Sequence, residues 1–285
     1  MGADGLAIPS ARTVLVPAAG HGRLAGMRLA YREAGPKDGP ALVCLHGIGS
    51  NSTGFRYQLS ALADTLRVIA WDAPGYGESS DLPMHAPSAK DYADALQALL
   101  DLLHVDQCHI AGSSLGAIIA AAFAATRPSR VKSLVLLAPA TGHRRLAAAE
   151  RESLLASRLD DLAKFGREGL AARRASALFS KAASNEMLAV AMEVVAAINP
   201  SGYERAARML SNADIFEDLE RIDAPTLILV GSNDIVTPAQ TCARPIHGAM
   251  RNARIIELQG PGHLIKIEAA AQVNSILRNT LAPDC

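Results

Sequence analysis

Short runs of apolar residues recur along the chain, and longer segments with a helical pattern separate them. The run at residues 27–33 alternates apolar and polar side chains, which is typical of a half-buried strand. Several of the other runs are apolar at nearly every position, as expected for parallel strands that helices cover on both faces. The pattern predicts eight strands, at residues 13–17, 27–33, 41–47, 67–72, 107–112, 133–139, 226–231 and 253–260.

Helical patterns fill the gaps between these strands. Ser88 is a typical N-cap residue, Asp91 lies in the first turn after it, and apolar residues then recur on one helix face. Further helices are predicted after residue 114 and, as an amphipathic terminal helix, at residues 267–281. The alternation predicts an α/β fold with an eight-stranded, mostly parallel, doubly wound sheet and right-handed crossovers.

Residues 141–214 interrupt this alternation. The segment has several helical patterns and many charges but no strand-like run, and strand patterns resume after it. We therefore expect residues 1–140 and 215–285 to form one core. We expect residues 141–214 to be a helical cap insertion into that core and not a separate domain.

Composition and charge limit the classes of partner. Lysine and arginine together equal aspartate and glutamate at 28 each, so the net charge of zero gives no reason to expect nucleic acid or an anionic membrane. The longest apolar run is shorter than the ~20 residues of a membrane span, and the first residues lack the basic region of a signal peptide. We expect a cytoplasmic protein with no nucleic-acid or membrane partner, and the sequence leaves a homodimer open.

The four cysteines, at positions 44, 108, 242 and 285, are scattered along the chain. They show no C-x-x-C spacing and no grouping with histidine. We expect reduced thiols with a structural role, in preference to disulfides or metal ligands.

The sequence HIAGSSLGAIIAAAFAA contains a G-x-S-x-G motif formed by Gly112, Ser114 and Gly116. Ser114 stands where a predicted strand ends and a helix begins. A serine at such a sharp turn exposes its hydroxyl, and the start of the helix favours negative charge developing nearby. Ser113 is one position away from the apex, and we interpret it as a turn residue bonded to the backbone.

A nucleophilic serine requires a base, and the base requires an acid that orients it. Asp234 follows the seventh predicted strand and His263 follows the eighth, in the order serine, acid, histidine. The carboxyl ends of parallel strands meet at one sheet edge, so we predict that Ser114, His263 and Asp234 form a catalytic triad. Among the alternatives, His46 fits a structural role in bracing its loop, and Asp72 fits a turn cap.

The loop LHGIGSNS, residues 45–52, follows the third predicted strand. Its glycines allow the backbone to bend inward, and we expect the N–H groups of Ile48 and Leu115 to form an oxyanion hole. The alternatives are a plain glycine-rich turn or a phosphate loop. The loop lacks both G-x-G-x-x-G and the Lys-Ser/Thr of a P-loop, so nucleotide binding is not expected.

Five motifs together resemble the α/β-hydrolase superfamily, and the resemblance covers nearly the whole chain. More narrowly, the chain resembles the bacterial branch that contains esterases, enol-lactonases and carbon–carbon hydrolases. The serine at position 114 distinguishes it from dehalogenases and epoxide hydrolases, which have aspartate there. The resemblance implies hydrolysis without a cofactor or a metal. The motifs are LHGIGS, WDAPGYGESS, GSSLGA, GSNDIVTP and GPGHL.

These observations predict a serine hydrolase that cleaves a carboxylic ester or lactone of a small, largely apolar substrate through an acyl-enzyme. Arg144 and Arg145 are candidates for contact with a substrate carboxylate, although solvated surface arginines are more common. Apolar residues of the insertion are candidates for the pocket wall or for packing on the sheet: Leu178, Met187, Met192 and Met209.

Two alternatives remain. The first is a carbon–carbon hydrolase of an aromatic ring-cleavage product. Such enzymes often have asparagine before the nucleophile and an aromatic residue after the catalytic histidine, where this chain has Ser113 and Leu264. The second is a non-catalytic ligand-binding protein that retains the fold.

Overall fold

A twisted sheet of eight strands lies at the centre of the protein, in the order β1-β2-β4-β3-β5-β6-β7-β8. The computed structural model describes residues 5–19 and 22–281. The strands are β1 (Arg12–Leu15), β2 (Arg28–Ala34), β3 (Ala41–Leu45), β4 (Arg67–Asp72), β5 (Cys108–Ser113), β6 (Val131–Leu137), β7 (Thr226–Gly231) and β8 (Ala253–Leu258).

The sheet is mostly parallel. β2 pairs antiparallel with β1 and with β4, whereas every other neighbouring pair is parallel. All eight predicted strands are therefore confirmed, and their ends differ from the prediction by only a few residues. β5 lies between β3 and β6 in the middle of the sheet, so the residues that follow it emerge at the centre of one sheet edge.

Helices connect the strands. Ser88 caps α2 in a reciprocal capping box with Asp91, as its sequence position predicts. The helices within the described residues are α1 (Arg56–Ala61), α2 (Ala89–Leu102), α3 (Leu115–Thr126), α4 (Ala148–Ala175), α5 (Asn185–Ala196), α6 (Pro200–Asn212), α7 (Phe216–Leu219), α8 (Ala243–Ala249), α9 (Ile265–Glu268) and α10 (Ala270–Leu281).

Two apolar clusters cover the two faces of the sheet. Leu42 and Cys44 of β3 pack into the cluster that includes residues of α1, α9 and α10. Val43 and Leu45 of the same strand pack into the cluster that includes residues of α2, α3 and α8. Because successive side chains point to opposite faces, a strand covered on both faces is apolar at every position. This explains the continuous apolar runs of the sequence.

The segment at residues 141–214 contains α4, α5 and α6 and lies between β6 and β7. Gly166 breaks α4 with a φ of 64°, a conformation that glycine adopts without steric cost. The two halves of α4 contact each other, since the Arg173 guanidinium stacks 4.3 Å from the Phe165 ring centre and Arg174 lies 3.5 Å from Asp161. These contacts pack the two halves of α4 against each other across the break at Gly166.

Cys44, Cys108 and Cys242 are buried free thiols, and Cys285 lies outside the described residues. Burial raises the pKa of the Cys44 thiol far above its ordinary value. Over residues 5–19 and 22–281, none of the helices combines the length and the apolar composition that crossing a membrane requires.

Candidate active site

Ser114 stands alone between β5, which ends at Ser113, and α3, which begins at Leu115. Its backbone has a φ of 55° and a ψ of −117°, a combination that is costly for a residue with a side chain. The end of β6 and the loop after it hold Ser114 in place: the Ser114 N–H donates to the Leu137 carbonyl at 2.9 Å, and the Ala140 N–H donates to the Ser114 carbonyl at 3.3 Å. The G-x-S-x-G motif thus produces the sharp turn that the sequence predicts.

The second glycine of the motif is required by the close approach of two backbones. A Cβ atom on Gly116 would lie 2.3 Å from the carbonyl oxygen of Leu45 at the end of β3. The loop after β3 is equally close to the serine, because a Cβ atom on Gly47 would lie 3.0 Å from the Cβ atom of Ser114. The absence of these two side chains lets the loop reach Ser114.

Asp234 and His263 form a direct hydrogen bond. The Asp234 Oδ2 atom lies 2.9 Å from the His263 Nδ1 atom, and both side chains are buried. Asp234 follows β7 and His263 follows β8, so each residue emerges at the carboxyl end of its strand. The contact uses Nδ1 of His263, and His263 and Ser114 line the same cavity.

Four hydrogen bonds hold the Asp234 carboxylate. Oδ1 accepts the N–H groups of Val236 and Thr237 at 2.8 and 2.9 Å, and Oδ2 also contacts the Thr237 hydroxyl at 2.8 Å. Burial alone would raise the pKa of Asp234, but the hydrogen bonds from His263 and Thr237 outweigh it and the pKa lies below its ordinary value. Asp234 is therefore an anion at neutral pH.

His46 braces the loop after β3, as the sequence suggests. Its Nε2 atom accepts the Ala73 N–H at 3.0 Å, so Nδ1 carries the proton and donates to the Gly47 carbonyl at 2.9 Å. Burial lowers the pKa of His46 to about 4, which keeps the ring neutral. Ile48, next in the loop, lines the same cavity as Ser114. Leu115 is the first residue of α3, where a backbone N–H has no carbonyl partner in its own helix.

The cavity has a volume of about 410 Å³ and lies between the sheet edge and residues 141–214. Leu178 lines it, but the three methionine candidates of the insertion do not: Met209 is buried in the core, Met192 is exposed, and Met187 is partly buried against the cluster that contains Phe179. Arg144 and Arg145 are also outside it, because they are exposed and pair with Glu217 and Asp214.

Several polar residues of this cavity were missed or misread in the sequence. Ser113 does not bond to the backbone as expected; its hydroxyl accepts a hydrogen bond from the Lys266 ammonium group at 3.1 Å. Lys266 is 1% exposed, and its only signal in the sequence is a lysine within an apolar run after His263. Arg158 and Arg174 of α4 also line the cavity. The sequence did not distinguish them from the other arginines of the same helix.

Comparison with known proteins places the chain among α/β-hydrolases. The sequence profile described as alpha/beta hydrolase fold matches residues 40–270. The chain is 28% identical, over 90% of its length and 68% of the relative, to the dihydrolipoyllysine-residue acetyltransferase component of the acetoin cleaving system of Pseudomonas putida. It is 26% identical, over 87% of its length and 92% of the relative, to (E)-2-((N-methylformamido)methylene)succinate hydrolase of Acinetobacter baylyi.

Solved structures agree with this result. A thermophilic esterase from Thermogutta terrifontis superimposes with a TM-score of 0.83 at 22% identity, over 95% of this chain and 98% of the esterase. The eight-stranded, mostly parallel sheet is the sheet that the resemblance in the motifs predicts, and its strand order adds an antiparallel β2 beside β4. Because the profile spans most of the chain and the sheet has this topology, the chain belongs to the α/β-hydrolase fold family.

Proposed function

We propose that this protein is a serine hydrolase that cleaves a carboxylic ester or lactone through an acyl-enzyme. The observation that carries the proposal is the combination of a strained Ser114 with a histidine on the same cavity wall, His263, whose Nδ1 atom is bound to a buried carboxylate. Each part has a cost in stability: the backbone strain at Ser114 and the burial of Asp234. Such costs cluster at functional sites.

The chemistry follows from the arrangement. The Ser114 hydroxyl attacks the acyl carbon and its proton passes to Nε2 of His263, while Asp234 holds the imidazole in the required tautomer and stabilises the imidazolium. The N–H groups of Leu115 and Ile48 bind the oxyanion. His263 then protonates the leaving alcohol, and a water molecule, activated by the same histidine, hydrolyses the acyl-enzyme.

We also propose that residues 141–214 form a cap over this site. The support is that the cavity is bounded on one side by residues of the sheet edge and on the other by residues of α4, α5 and α6. A cap excludes bulk water, which strengthens the electrostatic interactions inside the cavity. The relative from Acinetobacter baylyi, a hydrolase by name, supports the general class of reaction.

A fluorophosphonate probe tests the nucleophile. We expect covalent labelling that peptide mass spectrometry assigns to Ser114 and not to Ser113, and no labelling of the Ser114→Ala variant. His263→Gln is expected to slow labelling by at least about 100-fold. The matched control is His109→Gln, since His109 bonds to Ser133 on β6 and does not line the cavity. Hydrolysis of an activated ester by Ser114→Ala at the wild-type rate contradicts the proposal.

The two alternatives give different results in the same experiments. A carbon–carbon hydrolase cleaves vinylogous diketone acids faster than esters or lactones of similar size. A non-catalytic binding protein is not labelled at Ser114 and turns over neither substrate. A side-by-side assay of the two substrate types, together with labelling, therefore separates all three functions.

A further inference from the structure

The charged groups of the cavity are all of one sign. Lys266, Arg158 and Arg174 line it, and within residues 5–19 and 22–281 no aspartate or glutamate side chain does so. The nearest carboxylate of the site, Asp234, is behind His263 and bound by it. The overall chain is neutral, so the excess of positive charge is a local property of this cavity. A cavity lined by cations attracts anions.

Lys266 is the most deeply buried of the three cations. Its Nζ atom donates to Ser113 Oγ at 3.1 Å and lies 5.2 Å from the centre of the Phe55 ring. In the part of the chain that the structure describes, no carboxylate lies within ion-pair distance of it. Burial lowers the pKa of Lys266 to about 8, so the amine still carries its charge at neutral pH. An unpaired buried ammonium is destabilising unless a ligand compensates it.

The two arginines of the cavity wall belong to helix α4. Arg158 is half-buried, and among the described residues no carboxylate forms an ion pair with it. His143 also lines the cavity, and its pKa is lowered mainly by burial. The charge of Arg158 lowers it further. Arg174 contacts one carboxylate, Asp161, at 3.5 Å, and its Nε atom is buried without a hydrogen-bond partner. Both guanidinium groups therefore have N–H donors that are available to a ligand.

We propose that the substrate is an anion: an ester or lactone that also bears a carboxylate. The cations that line the cavity, Lys266, Arg158 and Arg174, bind the carboxylate while the acyl carbon lies at Ser114. The remainder of the wall is largely apolar, with Leu146, Val194 and Leu210 among its residues, so the part of the substrate between its acid and its acyl group is a hydrocarbon chain or ring. This inference rests on the proposed hydrolase function.

Matched substrate pairs test the inference. The monomethyl esters of succinic, glutaric, adipic and suberic acid carry a carboxylate, and the same esters with a primary amide in place of the free acid are neutral and nearly isosteric. We expect the wild-type protein to hydrolyse the best acid ester with a kcat/KM at least about tenfold above that of its amide partner, mostly through a lower KM.

Single substitutions show which cations cause the preference for the acid ester. Lys266→Met, Arg158→Gln and Arg174→Gln are each expected to lower the acid-to-amide ratio of kcat/KM at least about fivefold, because each variant lacks one cation that the carboxylate of the acid ester contacts. The matched control is Arg144→Gln, which removes an arginine that is exposed, paired with Glu217 and outside the cavity. It should leave the ratio within about twofold of wild type. The two arginine variants keep the test valid if Lys266→Met does not fold.

The outcomes distinguish the two proposals. Fluorophosphonate labelling of Ser114 with equal hydrolysis of the acid and amide esters overturns the anionic substrate and leaves the hydrolase standing. If no monomethyl ester is hydrolysed, protection of Ser114 from labelling provides the test. Free adipate should then protect at a concentration at least about tenfold lower than adipamide, and equal protection contradicts the inference. A protein that is not labelled at Ser114 at all contradicts both proposals.

Discussion

The Oδ2 atom of Asp234 lies 2.9 Å from the Nδ1 atom of His263, and the same oxygen lies 2.8 Å from the Thr237 hydroxyl. The carboxylate is therefore shared between the histidine that it orients and a threonine three residues later in the chain. Oδ1 is occupied by backbone N–H groups, so the carboxylate cannot rotate without losing hydrogen bonds. This arrangement fixes the imidazole plane relative to the cavity.

Asp234→Asn tests the charge of this pair. Asparagine keeps the shape of the side chain, but its amide group can donate to Nδ1 of His263 and stabilise the wrong tautomer. We expect kcat for an activated ester to fall by about 10³- to 10⁴-fold. Thermal unfolding serves as the control that the variant is folded. A loss of less than about tenfold in a folded variant would show that Asp234 does not orient the base.

Thr237 is a positioning residue for the same carboxylate. Thr237→Val removes the hydroxyl at nearly constant volume, and we expect kcat to fall by about 5- to 20-fold because Asp234 loses one of its hydrogen bonds. Thr237→Ser retains the hydroxyl and should recover activity to within about threefold of wild type. Equal losses in the two variants would point to packing of the threonine methyl group instead.

The strained backbone of Ser114 predicts a gain in stability when the strain is removed. Ser114→Gly and Ser114→Ala both remove the hydroxyl, but only glycine adopts a φ of 55° without a steric cost. We expect the glycine variant to exceed the alanine variant by about 1–2 kcal/mol in the free energy of unfolding, measured with urea. An alanine variant that is the more stable of the two would mean that the serine is not strained.

Gly116 is predicted to tolerate no side chain. Gly116→Ala places a Cβ atom 2.3 Å from the Leu45 carbonyl oxygen, and since backbone atoms cannot move aside easily we expect a loss of about 2–3 kcal/mol in stability. Gly248→Ala is the control, because Gly248 is in helix α8 and no atom from outside its own helix backbone and chain neighbours lies within 4 Å of the new Cβ. This change should be neutral or stabilising by up to about 1 kcal/mol. Similar effects at the two positions would argue against the close approach.

Lys266 predicts a specific dependence of stability on pH. Its pKa falls from 10.5 to about 8 on burial, so between these pH values the unfolded chain binds more protons than the folded protein. Because of Lys266, the free energy of unfolding therefore increases by about 3 kcal/mol as the pH rises from 8 to 10.5. Below pH 8 this increase is absent.

Lys266→Met lacks this contribution. Between pH 8 and 10.5 the wild type should therefore gain about 3 kcal/mol in free energy of unfolding relative to the variant. Urea unfolding at fixed pH values measures this change. Taking the difference cancels the titration of groups common to both proteins, such as the buried tyrosines Tyr76 and Tyr92, whose pKa values burial raises. A difference that does not change with pH would mean that Lys266 is solvated in the folded protein.

The local pattern of the sequence was sufficient for much of the fold. The eight strands and the N-cap at Ser88 follow from short-range properties: apolar periodicity and a side chain that accepts a neighbouring N–H. Continuous apolar runs also predicted that helices cover both faces of the sheet, since every position of β3 is buried. These features depend on residues close in sequence, and so the sequence reveals them directly.

The sequence by itself also selected Ser114, Asp234 and His263, because each follows a strand and the strands end at one edge. Only the tertiary structure decided which neighbours surround them. The contact between Ser113 and Lys266 joins residues 153 positions apart, and the two cavity arginines of α4, Arg158 and Arg174, lie on either side of the break at Gly166. Charge and burial of such residues arise from packing across the whole chain, so no local pattern distinguishes a lysine in a cavity from one in solvent.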